Sequence, residues 1–280
     1  MFNFFVFFFV FVLFVSCSKE TIKKSTIKEK SLELQVQEAY KEGMEALDSG
    51  DVLYAAKKFN EAEILFPQAN SAPQSALMAA YSYYTQDYYG DAIAELQRFL
   101  KVYPTSKDLG YVYYLLAICY YEQIVDEKKD LQSIINAKKN FNIILKNYPN
   151  TEYAIDAEFK IDLINDILAA KEMYLGRYYF DKKKWIPAIS RFREIIDKYD
   201  TTIYAEEALH RLVEVHYTIG LIDEAEKYAQ LLGYNYQSSK WYENSYSLFD
   251  KNYEKRKKKR LKTFKENSGG LMKKFKTLLE

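Results

Sequence analysis

Glycine, proline, cysteine and histidine are all scarce in this 280-residue chain. Nine Gly and five Pro argue against a β-rich fold, which needs many tight turns. The two cysteines, Cys17 and Cys119, do not form the framework of a disulfide-rich exported domain. Cys119 lies in an apolar helical run, YVYYLLAICYY, and we interpret it as a small buried hydrophobic residue.

The residues that usually mark catalytic or metal sites are also scarce. His210 and His216 are six residues apart and fall on different faces of one helix, so they cannot share a metal ion there. The chain has no phosphate-binding G-x-x-x-x-G-K-[ST] loop, no G-x-G-x-x-G motif and no G-x-S-x-G nucleophile turn. Carboxylates are plentiful, but no pair is singled out for acid–base chemistry. We therefore expect no enzymatic activity, no metal and no cofactor.

The chain also has no large excess of positive or negative charge. Forty Lys and Arg against 39 Asp and Glu give the whole chain no field that attracts nucleic acid, so we expect no nucleic-acid partner. An apolar fraction of 49%, with 17% aromatic residues, excludes an intrinsically disordered chain.

The N-terminus has the pattern of an export signal. Residues 4–15 are twelve consecutive apolar residues, about 18 Å as a helix, which is shorter than the ~30 Å core of a bilayer. Residues 14–17, FVSC, resemble a bacterial lipoprotein box, which predicts a signal peptide over 1–16 and lipidation of Cys17. An ordinary cleaved signal with an incidental cysteine is the alternative. Residues 17–36 are polar and rich in Lys and Glu, which predicts a flexible tether. In a Gram-negative-like cell, Ser18 after the cysteine favours sorting to the outer membrane.

A repeat fills the rest of the chain, and its fullest copy is residues 172–200. Leu175, Gly176 and Tyr179 precede Trp185, Ala188 and Phe192 at the spacing of two antiparallel helices, with Gly176 and Ala188 where the helices pass closest. This pattern resembles the 34-residue tetratricopeptide (TPR) unit. We predict an all-α, right-handed α-solenoid over 37–250, with repeats at 37–69, 73–106, 109–151, 169–201 and 205–236 and a capping helix at 238–250. We expect Pro67, Pro104 and Pro149 to end second helices, and the polar surplus at 125–133 to be an exposed excursion.

The first helices of such repeats line a concave surface. When the chain is aligned to the TPR unit, the first-helix positions that face inward in the first three repeats are mostly aromatic or aliphatic. Leu47 and Ile118 occupy two of these positions. Tyrosine suits binding of an extended peptide, but we expect about half of these residues to be mainly core. The candidate peptide groove consists of Tyr40, Met44, Leu77, Tyr81, Tyr84, Tyr114 and Tyr121.

The C-terminal tail, 251–280, contains the basic run KRKKKR and the segment LMKKFKTLLE. It is interpreted either as a solvated tail or as a basic amphipathic piece that touches anionic lipid or an acidic protein surface.

Three segments resemble one family. Tyr148–Ile189 contains YPNTEYAIDAEFK and LAAKEMYLGRYY, Tyr111–Asp130 is YVYYLLAICYYEQIVDEKKD, and the end of the repeats reads NYQSSKWYENSY. All three are similar to the BamD family of outer-membrane assembly lipoproteins.

The resemblance implies an accessory of the β-barrel assembly machine, lipid-anchored in the outer membrane and facing the periplasm. Its C-terminal repeats would bind the POTRA domains of BamA, with Arg191 and Arg177 as contact residues. Its N-terminal repeats would receive unfolded outer-membrane protein precursors, and other assembly-machine lipoproteins would be partners. Asp166 departs from the family, which has Arg or Lys there. A periplasmic TPR adaptor for cell-division or peptidoglycan machinery is the alternative.

Overall fold

A computed structural model describes residues 30–124, 131–237 and 239–250, together with residue 259. Within these ranges the chain forms α-helices and no strand, which confirms the all-α prediction. The helices are α1 Leu32–Ser49, α2 Val52–Leu65, α3 Ala72–Tyr84, α4 Tyr89–Val102, α5 Leu109–Glu122, α6 Gln132–Asn147, α7 Glu152–Asp181, α8 Trp185–Lys198, α9 Ala205–Thr218, α10 Ile222–Asn235 and α11 Lys240–Phe249. The predicted signal peptide, Cys17 and most of the tail lie outside the described residues.

The helices pack in chain order. Each of α1 to α9 packs against the helix that follows it, and α11 packs on both α9 and α10. Because every contact is between near neighbours, apolar side chains form a series of linked clusters along the stack. This is the arrangement of the predicted helical-repeat solenoid.

Glycine and phenylalanine pack together at the helix crossings of two repeats. In the fourth repeat Gly176 of α7 lies against the ring of Phe192 on α8, and in the first repeat Gly43 of α1 lies against Phe59 on α2. A Cβ at position 43 would be 2.9 Å from the Phe59 ring, closer than side-chain atoms normally approach. Ala188, Phe59 and Phe192 are fully buried. The small residues at these crossings are therefore required by packing.

The turns inside four repeats share one hydrogen-bond pattern. The amide of the residue after the turn donates to a carbonyl five residues earlier, in the pairs Asp51–Ala46, Tyr88–Tyr83, Lys184–Tyr179 and Leu221–His216. The residue before it has a left-handed backbone conformation in each case: φ is 84° at Gly50 and Gly220, 61° at Asp87 and 56° at Lys183. This is a Schellman ending, which satisfies carbonyls that a helix end otherwise leaves unpaired.

The second helices of the first three repeats end just before a proline, as expected. The residues preceding Pro67, Pro104 and Pro149 have φ of −146°, −121° and −132°, outside the α-helical region that a following proline disfavours.

Two segments differ from the sequence-based prediction. The first helix begins at Leu32, so the last five residues of the predicted tether are helical; Ser31 caps this helix by accepting a hydrogen bond from the Leu34 amide. At the predicted excursion, residues 125–130 lie outside the described part, and Gln132 and Ser133 already belong to α6.

The longest helix, α7, spans 30 residues and about 45 Å. It begins where the third predicted repeat ends and continues through the first helix of the fourth repeat. No described helix combines the length and apolarity needed to cross a bilayer. Cys119 is buried on α5 as predicted, and burial raises the pKa of its thiol to about 12.

Candidate protein-binding surfaces

Tyr40, the first residue of the candidate groove, joins two repeats. Its ring meets Phe59 edge-on, with the ring centres 5.1 Å apart. Its hydroxyl accepts a hydrogen bond from Gln74 Nε2 on α3 at 3.2 Å. Burial raises the pKa of Tyr40 above its usual value, partly offset by the Gln74 bond. The side chain is half-buried, so it both packs and presents one edge to solvent.

Tyr114 and Tyr121 join the third repeat to α7. The Tyr114 ring lies 5.1 Å from that of Tyr153, and its hydroxyl donates to Asp156 Oδ2 at 2.9 Å. Burial, and then this bond to a carboxylate, raise the pKa of Tyr114 above its usual value. The ammonium group of Lys160 stands 4.6 Å from the centre of the Tyr121 ring. Both tyrosines therefore help to hold the repeats together.

The other groove residues, Met44, Leu77, Tyr81 and Tyr84, are half-buried and pack against the cores of the first two repeats. Tyr81 and Tyr84 also contact each other, with ring centres 6.2 Å apart. Beside Leu77 a cleft of about 760 Å³ opens between the α2–α3 and α4–α5 connections. Such a volume is within the range of ligand-binding clefts.

Ile118, which the repeat alignment also placed on this face, is one of the residues that turn out to be mainly core. Only 6% of Ile118 is exposed, because it packs in the core around α6 and α7. The seven groove residues keep partial exposure, and their role in binding stays a prediction.

Arg191, on α8, is half-buried. Its Nη1 donates to Glu172 Oε2 on α7 at 3.0 Å. The hydrogen bond to Glu172 raises the pKa of the guanidinium above its already high value, partly offset by burial. About 41% of the Arg191 side chain remains exposed, against 15% for Glu172. A guanidinium has five N–H donors, so this pairing leaves donors for a second acceptor.

Arg177 makes a bidentate ion pair across two repeats. Its Nε donates to Glu207 Oε1 on α9 at 2.9 Å, and its Nη2 pairs with the other carboxylate oxygen. Glu207, with a side chain only 9% exposed, also accepts from Arg211. Arg177 and Arg191 thus bind different carboxylates, and the Arg177 pair connects the fourth repeat to the fifth.

The two histidines are both buried and each has a hydrogen-bond partner. His210 Nδ1 is 2.8 Å from Ser245 Oγ on α11, and His216 Nδ1 is 2.7 Å from the carbonyl of Leu212. The described ranges contain no group of three His, Cys, Asp or Glu side chains placed to hold a metal ion.

Sequence reasoning missed an ion pair between the first two repeats. The Arg98 guanidinium on α4 makes two hydrogen bonds to Glu63 on α2, at 2.6 and 2.8 Å, and the Tyr103 hydroxyl adds a third at 2.7 Å. Burial raises the pKa of the Glu63 carboxyl, but these bonds outweigh burial and leave it below its usual value.

A signal for such pairs is present in the sequence. Several hydrogen bonds between repeats join residues 34 or 35 positions apart, close to one repeat length: Tyr40–Gln74, Asn60–Glu95, Glu63–Arg98, Arg193–Tyr228 and His210–Ser245. Comparing polar residues at that separation would have found them.

Residues 32–231 match the family model YfiO, described as an outer membrane lipoprotein. The chain belongs to this family. Among curated relatives, the outer membrane protein assembly factor BamD of Rickettsia prowazekii is 44% identical over 215 residues, covering 77% of this chain and 85% of the relative. BamD of Caulobacter vibrioides is 39% identical over 236 residues, covering 84% and 76%. The resemblance to BamD found in the sequence is therefore confirmed.

Solved structures similar to this YfiO-family chain are more distant. The TPR2AB domain of yeast Sti1 in complex with pHSP90 has a TM-score of 0.41 and 13% identity, covering 77% of this chain and 82% of that one. The protein TTC0263 of Thermus thermophilus, titled a thermophilic TPR protein, has a TM-score of 0.35 and 15% identity, covering 76% and 98%.

Proposed function

We propose that this chain is a non-enzymatic scaffold for the assembly of β-barrel proteins in the outer membrane. The observation that carries the proposal is the 44% identity, over 77% of the chain, to a protein named as an outer membrane protein assembly factor. The stack of half-buried aromatic side chains and charged side chains supports a role in holding other proteins.

The proposed BamA-binding surface lies in the fourth repeat. Arg191 is held by one hydrogen bond to Glu172 and keeps part of its guanidinium in solvent, so an acidic group on a POTRA domain can pair with the remaining donors. Arg177 contributes from α7, and about 48% of its side chain is exposed.

The proposed site for unfolded outer-membrane precursors lies in the first three repeats. Tyr40, Tyr81, Tyr84, Tyr114 and Tyr121 are already fixed by their contacts, so binding a peptide against their exposed edges costs little side-chain entropy. The cleft beside Leu77 supplies a recess for an apolar side chain.

We further propose that Cys17 is acylated, that the solenoid faces the periplasm and that other assembly-machine lipoproteins join the complex. No metal, cofactor or nucleic acid takes part in this function.

Two matched variants test whether Arg191 contacts BamA or only holds Glu172. Arg191→Gln and Glu172→Gln both break the same internal ion pair. If Arg191 binds BamA, co-purification of a large POTRA-barrel protein falls about tenfold with Arg191→Gln and is retained with Glu172→Gln. Equal recovery with both variants would show that Arg191 has only a structural role.

The same co-purification tests the function itself. Recovery of the POTRA-barrel protein with the unmodified chain supports the assembly role. Recovery of peptidoglycan synthases or cell-division proteins in its place would assign the chain to the adaptor class.

A further inference from the structure

The charges of this chain are separated along its length. Residues 251–280 contain twelve of the 40 basic residues and three of the 39 acidic ones, so this tail has a net charge of +9 and residues 1–250 have −8. Residues 205–250, the last repeat and its cap, contain eight acidic and three basic residues, a net charge of −5. The near-neutral chain is thus an acidic body joined to a basic tail, and the nearest part of the body is strongly acidic.

A cleft of about 790 Å³ lies at this acidic end, between α10 and α11. Its aromatic lining is Tyr234, Tyr242, Tyr246 and Phe249, and its carboxylates are Glu226 and Asp250. Tyr234 is 83% exposed, which is unusual for a large ring.

The walls of the cleft are fixed by packing. The Tyr242 ring of α11 sits directly over Gly233 of α10, where a Cβ would be only 2.8 Å from it. Phe249 meets Tyr217 of α9 edge-on, with ring centres 5.4 Å apart. The cleft is therefore formed before anything binds to it.

Aromatic faces with carboxylates suit a segment that is both cationic and apolar. Lysine and arginine bind over aromatic rings and pair with carboxylates. The tail has this chemistry: KRKKKR is followed by LMKKFKTLLE, in which Leu271, Phe275, Leu278 and Leu279 recur at the spacing of one helix face.

The tail is also attached at the right place. Asp250, its neighbour in sequence, lines the cleft. A 20-residue chain of coil dimensions spans about 25 Å on average. The 20 residues of 251–270 are therefore long enough to bring 271–280 back to the cleft. Attachment at this distance gives an effective concentration on the order of millimolar, so a weak interaction is sufficient.

We infer that residues 251–280 bind in the cleft between α10 and α11 of their own chain. While bound, the tail covers Tyr234, so any protein that uses the same face must displace it. This inference does not depend on the proposed function.

Photo-crosslinking in the full-length chain tests the inference. p-Benzoylphenylalanine replaces Tyr234 in one protein and, as a control, Ile64 of α2, which is 75% exposed and lies in the first repeat. After irradiation, mass spectrometry should find crosslinks from position 234 to peptides of 251–280 at least fivefold more often than from position 64.

Charge variants of the tail separate specific from incidental crosslinking. Lys257→Glu, Lys258→Glu and Arg260→Glu together should reduce the yield at position 234 at least threefold, as should 1 M salt, where the Debye length is about 3 Å. The matched variant with Lys257→Arg and Lys258→Arg should keep it. Circular dichroism checks that each protein is folded.

Three results would overturn the inference. Equal yields of tail crosslinks from positions 64 and 234 would mean that the tail meets the rest of the chain only by random encounter. Crosslinks between chains that increase with protein concentration would assign the cleft to a second copy. Absence of tail crosslinks from position 234 in the folded protein would show that the tail does not bind there.

Discussion

Gly176 and Phe192 occupy one small space between α7 and α8. They are sixteen residues apart in sequence, as are Gly43 and Phe59 in the first repeat, and in both pairs the glycine lies against the ring. A methyl group at Gly176 would overlap the Phe192 ring, which is fully buried, so the ring or the two helices would have to shift.

We therefore expect Gly176→Ala to lower the free energy of unfolding by about 1–3 kcal/mol, the usual cost of overpacking a core. Gly90→Ala is the matched control, because a Cβ at Gly90 in α4 would have no atom within 4 Å other than those of its chain neighbours and its own helix backbone. That change should leave stability unchanged or raise it by up to about 1 kcal/mol through helix propensity. Urea unfolding followed by circular dichroism measures both, and equal effects would contradict the packing argument.

Arg98 compensates the buried charge of Glu63, which is only 5% exposed. Replacing Arg98 with Met should cost about 3 kcal/mol at neutral pH, at the low end for a broken buried ion pair because Arg98 is partly exposed. Adding Glu63→Gln should restore most of the loss, since it removes the uncompensated charge.

The effect of Arg98→Met should depend on pH. In the unmodified chain the pKa of Glu63 is below its usual 4.5, so its stabilisation is present above that pH and is lost as pH falls through the lower folded-state value. Without Arg98, burial dominates and the folded-state pKa rises above 4.5, so protonation stabilises the variant. The difference in free energy of unfolding between the unmodified chain and Arg98→Met should therefore become smaller below about pH 5. Unfolding curves from pH 4 to 7 test this, and a difference that stays constant with pH would show that the pair does not form.

Lys183 adopts a left-handed conformation, with φ of 56°, at the turn between α7 and α8. Because this conformation costs a side-chain-bearing residue roughly 1–2 kcal/mol, Lys183→Gly should stabilise the chain by up to about 1 kcal/mol. Lys182→Gly, at an ordinary φ of −82°, should give no gain. Gly220→Ala, at the equivalent turn of the fifth repeat, should destabilise, because its φ is 84°. If Lys182→Gly and Lys183→Gly raised the melting temperature equally, the left-handed φ of Lys183 could not be the cause of the gain.

Ser245 attaches the capping helix to the last repeat. It is fully buried, and its hydroxyl is 2.8 Å from His210 Nδ1. Ser245→Ala leaves that nitrogen buried without a partner, which should cost about 1–3 kcal/mol. The Ser247 hydroxyl bonds only to the carbonyl of Asn244 in its own helix, so Ser247→Ala should be nearly neutral. Hydrogen exchange of the α11 amides should become faster only in the Ser245 variant.

The fold was predictable from sequence because its signals are local. Gly176, Ala188, Phe192 and the prolines that end second helices each follow from backbone contact or backbone conformation, and each has a counterpart in at least one other repeat. The start of α1 was missed because a single capping residue, Ser31, extends a helix into a stretch whose Lys and Glu composition resembles a tether.

The candidate site was less predictable because its side chains are positioned by other repeats. The repeat frame gives the direction of Tyr114, but not that Asp156 would hold its hydroxyl, or that Ile118 beside it would be buried. Likewise the sequence marks Arg177 without its partner Glu207, since that partner lies on a helix of the next repeat.

The unbroken α7 runs from the third repeat into the fourth, so no loop separates the two halves of the stack. Bending the chain there would require breaking backbone hydrogen bonds within a helix, whereas a loop would bend freely. The junction between the third and fourth repeats therefore resists bending more than a loop at the same place would.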